Sequence, residues 1–255
     1  MKNIFDLSGK VAIVTGASSG LGAEFSKILA SKGADLVIVA RRYEKLLNFQ
    51  KEIEAMGRQC LPIKCDVNKE DEVADVIQST LNRFGKIDVL VNNAGVSAGD
   101  VAENLSVEDW DKVLNTNLRG VFLFAKHAGK HMIERKYGKI INIASMYGQV
   151  GNTAIPASAY HASKGGVINY TRALAGEWGR YGINVNAIGP GFFESEMTQS
   201  VLGEESFLAY IKSRCPMQRP GKAGELAGIL IYLASDASSY TNGQTIFVDG
   251  GWTAV

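Results

Sequence analysis

The 255-residue sequence is poor in the residues that staple or interrupt a chain, with only three cysteines and five prolines. Cys60, Cys65 and Cys215 are odd in number and lack metal-ligand spacing, so neither a disulfide framework nor a metal site is expected, and a reducing compartment fits. No charge of one sign predominates: 27 Lys and Arg stand against 26 Asp and Glu, for a net charge of +1. That balance leaves no excess basicity to neutralise a nucleic-acid backbone or an anionic lipid surface. Apolar runs long enough for a signal-peptide core or a membrane span are also missing, and a cytoplasmic location is expected. No stretch rich in Pro, Gly and Ser is long enough to be a linker, and no internal repeat exceeds one βα unit. One domain spanning residues 1–255 is therefore expected.

Hydrophobic residues make up 46% and charged residues 21% of the chain, enough for a sizeable core in an ordinary globular protein. Short apolar runs alternate with longer stretches of helical periodicity. The runs begin at Val11-Ala12-Ile13-Val14 and Leu36-Val37-Ile38-Val39, and continue at Cys60-Leu61-Pro62-Ile63 and Val89-Leu90-Val91. Three more follow, at Ile140 to Ile143, Ile183 to Ala187 and Thr245 to Val248. Strands apolar on both faces need helices on both sides, which predicts an α/β Rossmann-type doubly wound fold with a seven-stranded parallel sheet. The segment 192–219 breaks the rhythm beyond the sixth strand, where a substrate lid would sit.

Directly after the first run comes Thr15-Gly16-Ala17-Ser18-Ser19-Gly20-Leu21-Gly22, and then a helical pattern. Strand, glycine-rich turn and helix in that order suit a dinucleotide pyrophosphate: glycines admit it closely, and free amides at the helix start attract its charge. At the end of the second strand, where an acid normally holds the adenosine ribose, the chain reads Arg41-Arg42. A guanidinium there matches a 2′-phosphate, so NADP(H) is the expected cofactor, with Arg41 placed ahead of Arg42 as its ligand.

Tyr160-His161-Ala162-Ser163-Lys164 puts a phenol and an ammonium one helical turn apart on one face. A fixed cation there would favour phenolate and lower the tyrosine's pKa. With the Thr15 to Gly22 loop, Asp66-Val67, Asn92-Asn93-Ala94-Gly95, Asn117, Ser145, Pro190-Gly191, Thr198 and Asp249-Gly250-Gly251, these residues resemble the short-chain dehydrogenase/reductase family over nearly the whole chain. The resemblance implies that Tyr160 exchanges a proton with the substrate oxygen while hydride moves to or from a nicotinamide. It implies that Lys164 tunes Tyr160 and bonds the ribose, that Ser145 holds the oxygen, and that Asn117 orders a water beside Lys164. Asp66, Val67, Asn93, Ala94, Gly95, Pro190, Gly191 and Thr198 would border the cofactor.

Within the family the chain looks most like gluconate 5-dehydrogenases and NADP-dependent sugar and polyol reductases. Its substrate would lie against Ser97, Met146, Tyr147, Ile155, Phe192, Phe193 and Met197, with Gln149, Asn152, Thr153 and Glu194 as hydroxyl partners. A sugar-acid carboxylate wants a cation, and the Gly95 to Val101 loop supplies none. The enzymatic alternative is 3-oxoacyl-carrier-protein reductase, with Lys130, Lys136, Arg172 and Arg180 as a docking patch. A non-catalytic NADPH-binding sensor is the alternative from another class, although it would not need the four catalytic residues. His161 is expected to serve surface or interface packing. Val121, Phe122, Phe124, Ile168, Tyr170 and Trp178 exceed what one buried stripe uses, which fits a homotetramer or homodimer.

Overall fold

The computed structural model describes residues 3–152, 155–194, 198 and 202–255. Seven strands form one parallel sheet: β1 (Val11–Thr15), β2 (Asp35–Ala40), β3 (Cys60–Lys64), β4 (Val89–Asn92), β5 (Gly138–Ile143), β6 (Ile183–Pro190) and β7 (Thr245–Val248). Their order is β3-β2-β1-β4-β5-β6-β7, and each falls on one of the apolar runs named above. The helices are α1 (Gly20–Ser31), α2 (Tyr43–Ala55), α3 (Glu70–Phe84), α4 (Val107–Leu114), α5 (Gly120–Arg135), α6 (Ser158–Trp178), α7 (Glu205–Arg214) and α8 (Ala227–Ala234).

Parity along the strands assigns each side chain to one of two cores. Ala12, Val14, Leu36 and Ile38 face α1, α2 and α8 through Phe25, Leu29, Leu46 and Leu230. Their neighbours Val11, Ile13, Val37 and Val39 face α3, α5 and α6 through Val76, Phe124, Met132 and Leu174. Both faces of the sheet are thus dry, the condition under which parallel strands persist. The chain builds outward from β1 to β3, then crosses to β4 on the other side of β1. The carboxyl ends of β1 and β4 diverge there and open a crevice.

Residues 107–135 run as helix without a break but not uniformly. Asn115–Arg119 is a π-turn, closed by the Gly120 amide donating to the Asn115 carbonyl, between α4 and α5. Three of the apolar residues expected to pair between subunits, Val121, Phe124 and Ile168, are instead buried within the chain. Phe122 remains exposed, with Tyr170 edge-on at 6.4 Å. The three cysteines are free and buried. Among the described residues no helix is long and apolar enough to cross a membrane.

At the opposite end of the sheet, buried Asp88 ties β1 to α5. It accepts from the Val11 amide at 2.9 Å and from both terminal nitrogens of Arg135 at 3.2 Å. Replacing Asp88 with Ala would leave that amide without its acceptor and the guanidinium with only the Ile87 carbonyl, 3.1 Å away. A loss of about 3 kcal/mol is expected, the scale of breaking a buried ion pair, read from the urea midpoint. A loss below about 1 kcal/mol would show that the pair is dispensable.

Candidate active site

The β1–β4 crevice is floored by the glycine-rich loop. Gly16 and Gly20 hold φ of +68° and +52°, a region side chains disfavour. A Cβ on Gly22 would lie 2.3 Å from the Gly16 carbonyl oxygen, so only glycine lets α1 start this close to β1. The loop is clasped to the β4 end. Thr15 Oγ1 accepts from the amides of Asn93 and Ala94, each at 3.0 Å, while Asn93 Nδ2 donates to the Thr15 carbonyl at 2.9 Å. Asn93, expected as a cofactor contact, therefore also fixes the loop's shape.

The cleft above has a volume of about 450 Å³. It is bordered by Gly16, Ser18, Ser19, Gly20, Leu21 and Gly22, by both arginines, by Asp66 and Val67, by the Asn93 to Gly95 turn, and by Pro190, Gly191 and Thr198. Every expected cofactor residue thus reaches one cavity. The two arginines are placed differently. Arg42 lays its guanidinium on the loop, donating to Ser18 Oγ at 3.0 Å and Ser19 Oγ at 2.6 Å. Arg41 borders the cleft without such a bond shown to the loop. Glycine cradle, amide-rich helix start and guanidinium fit a phosphorylated dinucleotide, and the cleft continues to Ser145, Tyr160 and Lys164.

Ser145, two residues beyond the end of β5, is buried, and its Oγ accepts from the Tyr147 amide at 3.1 Å. Its hydroxyl also hydrogen-bonds the Tyr160 phenol. Lys164 Nζ donates to the Ile143 carbonyl at 2.7 Å and stands 5.6 Å from the Tyr160 ring centre. Burial pushes the Lys164 ammonium down to about 8. Burial likewise pushes the Tyr160 phenol up, opposed by the Ser145 hydrogen bond. The expected lowering of Tyr160 by Lys164 is therefore not the balance among the protein's own groups: desolvation dominates both.

Asn117 is fully buried at the π-turn. Its Oδ1 accepts from the Val96 amide at 2.8 Å, and its Nδ2 donates to the Val96 carbonyl at 2.9 Å and to Ser163 Oγ at 3.0 Å. These contacts clamp the turn after β4 to the helix carrying Tyr160.

On the substrate side, Met146, Tyr147, Ile155 and Phe192 pack in one aromatic-rich cluster with Tyr160. Phe193 departs from the expected wall: it turns back to the cofactor cleft and packs on Gly221, where a Cβ would lie 2.3 Å from its ring. Ser97 is exposed and does not border the cleft, although its neighbour Val96 does. Met197 and Thr153 lie outside the described residues. His161 is more than surface packing: it stacks on Tyr147 with centroids 4.6 Å apart. Its Nδ1 meets the Ala157 carbonyl at 2.7 Å, and its Nε2 meets Asn152 Nδ2 at 3.0 Å. The cluster also includes Phe207 and Tyr210 of α7 and Trp252, which sequence reasoning missed. Their signal was the i, i+3, i+4 spacing of Phe207, Tyr210 and Ile211.

Residues 16–253 match the family model described as enoyl-(acyl carrier protein) reductase. The chain belongs to the short-chain dehydrogenase/reductase family. It is similar to the 2-dehydro-3-deoxy-D-gluconate 5-dehydrogenase of Escherichia coli, 42% identical over 98% of each chain. The gluconate 5-dehydrogenase of Gluconobacter oxydans is 39% identical, over 98% of this chain and 97% of that one. A 3-oxoacyl-[acyl-carrier-protein] reductase of Thermotoga maritima is 38% identical, over 96% of this chain and 98% of that one. Among solved structures, a gluconate 5-dehydrogenase of Burkholderia cenocepacia, in complex with NADP and tartrate, superposes with a TM-score of 0.95. It is 36% identical and covers 99% of this chain and 98% of that one. As a family member the chain is an oxidoreductase that uses a nicotinamide cofactor and a small-molecule substrate.

The Lys164 shift has a signed consequence. Its pKa of about 8 in the fold lies below the ordinary lysine value of 10.5, so the unfolded chain binds more protons between those pH values. Stability from this group rises with pH across that window, and the burial cost is fully present below about 8. Lys164→Met should therefore be at least as heat-stable as the parent at pH 7 without cofactor, with the parent gaining on it as pH approaches 10. A pH-independent difference in melting temperature would refute this.

Proposed function

We propose that this protein is an NADP(H)-dependent dehydrogenase/reductase that interconverts a ketone and a secondary alcohol on a sugar acid, in the manner of gluconate 5-dehydrogenases. The observation that carries the reading is the convergence of Tyr160, Ser145 and Lys164 where the dinucleotide crevice meets an aromatic-walled cavity. When bound, the nicotinamide supplies or takes up the hydride. Tyr160 gives its phenolic proton to the substrate oxygen in reduction and takes it back in oxidation. Ser145 holds that oxygen where negative charge develops. Lys164, buried and fixed on the Ile143 carbonyl, places a cation beside the phenol and within reach of the ribose. Asn117 keeps α6 at its distance from the turn after β4.

The preference for NADP(H) rests on Arg42 and the Ser18 and Ser19 hydroxyls it engages, with Arg41 beside them. NADP in the Burkholderia relative supports it, and the names of the two gluconate-type relatives support the substrate class. Residues 1–255 act in this reading as one catalytic domain, with 192–219 as its substrate lid. The groove between α4, α5 and α6, lined by Leu118, Phe122 and Tyr170, would be covered by a second copy in a homodimer or homotetramer. A cytoplasmic location completes the proposal.

Tyr160→Phe should abolish turnover while leaving NADPH affinity, measured by fluorescence titration, within about twofold. Retained activity would sink the assignment of the acid/base. Arg42→Ala should weaken NADP(H) roughly tenfold or more and leave NAD(H) unchanged, as the loss of a charge-assisted phosphate contact requires. Equal effects on both cofactors would refute the 2′-phosphate role. Faster turnover of acetoacetyl thioesters than of sugar acids would replace the substrate reading by 3-oxoacyl reduction, and NADPH binding without turnover of any ketone would indicate a sensor.

A further inference from the structure

His161 follows the acid/base directly, and adjacent helical positions point about 100° apart, so its ring leaves α6 on a different side from Tyr160. Both ring nitrogens and one ring face are engaged. Nδ1 lies 2.7 Å from the Ala157 carbonyl, which also accepts from the His161 amide at 3.0 Å. Nε2 lies 3.0 Å from Asn152 Nδ2, and Asn152 Oδ1 accepts from the Ile155 amide at 2.7 Å. The imidazole plane is 24° from that of the Tyr147 ring, with centroids 4.6 Å apart.

These contacts admit one arrangement of hydrogens. A carbonyl only accepts, so Nδ1 carries the proton and Nε2 is left with its lone pair. The Asn152 nitrogen donates to that lone pair, because the oxygen of the same carboxamide is committed to the Ile155 amide. Asn152, expected as a hydroxyl partner of the substrate, thus uses both ends of its carboxamide within the protein. The neutral imidazole thereby ties three segments together: the first turn of α6, the residues Asn152 and Ile155, and the short turn Met146–Gly148. The last of these reaches the reacting centre. The Tyr147 amide donates to Ser145 Oγ at 3.1 Å, and the Ser145 hydroxyl bonds the Tyr160 phenol. Phe192 stands edge-on to the same Tyr147 ring at 5.9 Å, and Ile155 packs in the cluster that holds Tyr160.

We propose that His161 is a positioning residue: as a neutral imidazole protonated on Nδ1, it holds the Ser145 turn and the Ile155 wall in place against Tyr160, and exchanges no proton with the substrate. The inference rests on Tyr160 and Ser145 as the groups that meet the substrate oxygen, and it holds for any ketone they serve. The stack on Tyr147 backs the residue whose amide orients Ser145 Oγ, while the bond to Asn152 fixes the wall. Losing either leaves the acid/base present but misaligned, and small displacements at a reacting centre cost rate rather than cofactor affinity. His161, Asn152 and Tyr147 lie outside the lining of the cofactor cleft.

The test uses the full-length protein with NADP(H) and whichever of D-gluconate or acetoacetyl-CoA the parent turns over. His161→Phe keeps a ring for Tyr147 and removes both imidazole hydrogen bonds. It should lower kcat/KM roughly tenfold to a hundredfold, mainly in kcat, with NADPH affinity within about twofold of the parent. His161→Gln, whose side-chain oxygen can take the Asn152 donation, should recover part of the loss. Asn152→Ala should lose activity in the same direction, and combined with His161→Phe it should lose less than the two single effects multiplied, because the two residues share one contact. The pH dependence of kcat/KM should keep its parental form in His161→Phe, since Tyr160 still carries the proton. Nitrogen-15 resonances of the imidazole above neutral pH should place the proton on Nδ1. An active parent with an equally active His161→Phe overturns the inference while the functional reading stands. A displaced limb in the pH profile, or a proton on Nε2, overturns it as well. If the parent turns over neither substrate, the acid/base reading falls and takes the inference with it.

Discussion

The clasp between Thr15 and Asn93 holds together the two strand ends whose divergence makes the site. β1 and β4 are neighbours in the sheet, yet their onward chains leave in opposite directions, and nothing in the strand ladder governs the gap beyond their last paired residues. One threonine hydroxyl accepting two amides, with one carboxamide returning to the loop carbonyls, sets that gap. Gly16 and Gly22 then pack with no room for a methyl group between loop, helix and Asn93. Shape at this point is a matter of backbone against backbone, so the cavity exists before any ligand arrives.

The strands were legible because each is a short apolar run, and apolarity on both faces marks a sheet covered by helices on both sides, although such a run does not tell which side chain faces which layer. The glycine loop and the Tyr160 and Lys164 pair were legible because their chemistry constrains spacing. What escaped was set by contacts between distant segments. No local pattern tells whether Arg41 or Arg42 turns towards Ser18, since the side chains of adjacent residues leave the strand end in different directions. Phe192 and Phe193 looked equivalent in sequence, yet Phe193, bridged to Gly221, joins the core over α1 and α8 and borders the cofactor cleft, while Phe192 joins the aromatic cluster. His161 looked like surface because the residue it serves, Tyr147, is on another element.

Electrostatics in the cleft follow the same division. Spacing alone put an ammonium near a phenol, and that much is present. It did not reveal that both groups are desolvated, which moves Lys164 down and Tyr160 up and leaves the Ser145 hydroxyl as the stabiliser of phenolate. Such a pair is poised for chemistry that brings its own charge: a cationic ring entering the cleft changes the balance more than it would in water, because little solvent remains to screen it.

The π-turn at Asn115–Arg119 carries one residue per turn more than the helices around it. The faces of α4 and α5 are consequently out of phase by one position, and it is this offset that lets Val113 and Phe124 both reach the core while Asn117 turns to Val96 and Ser163. Chain length here is as much a part of the site as residue identity. Deleting a residue of the turn other than Asn117 would restore a regular helix, rotate α4 against α5 by about 100°, and swing the Asn117 clamp away from the turn after β4.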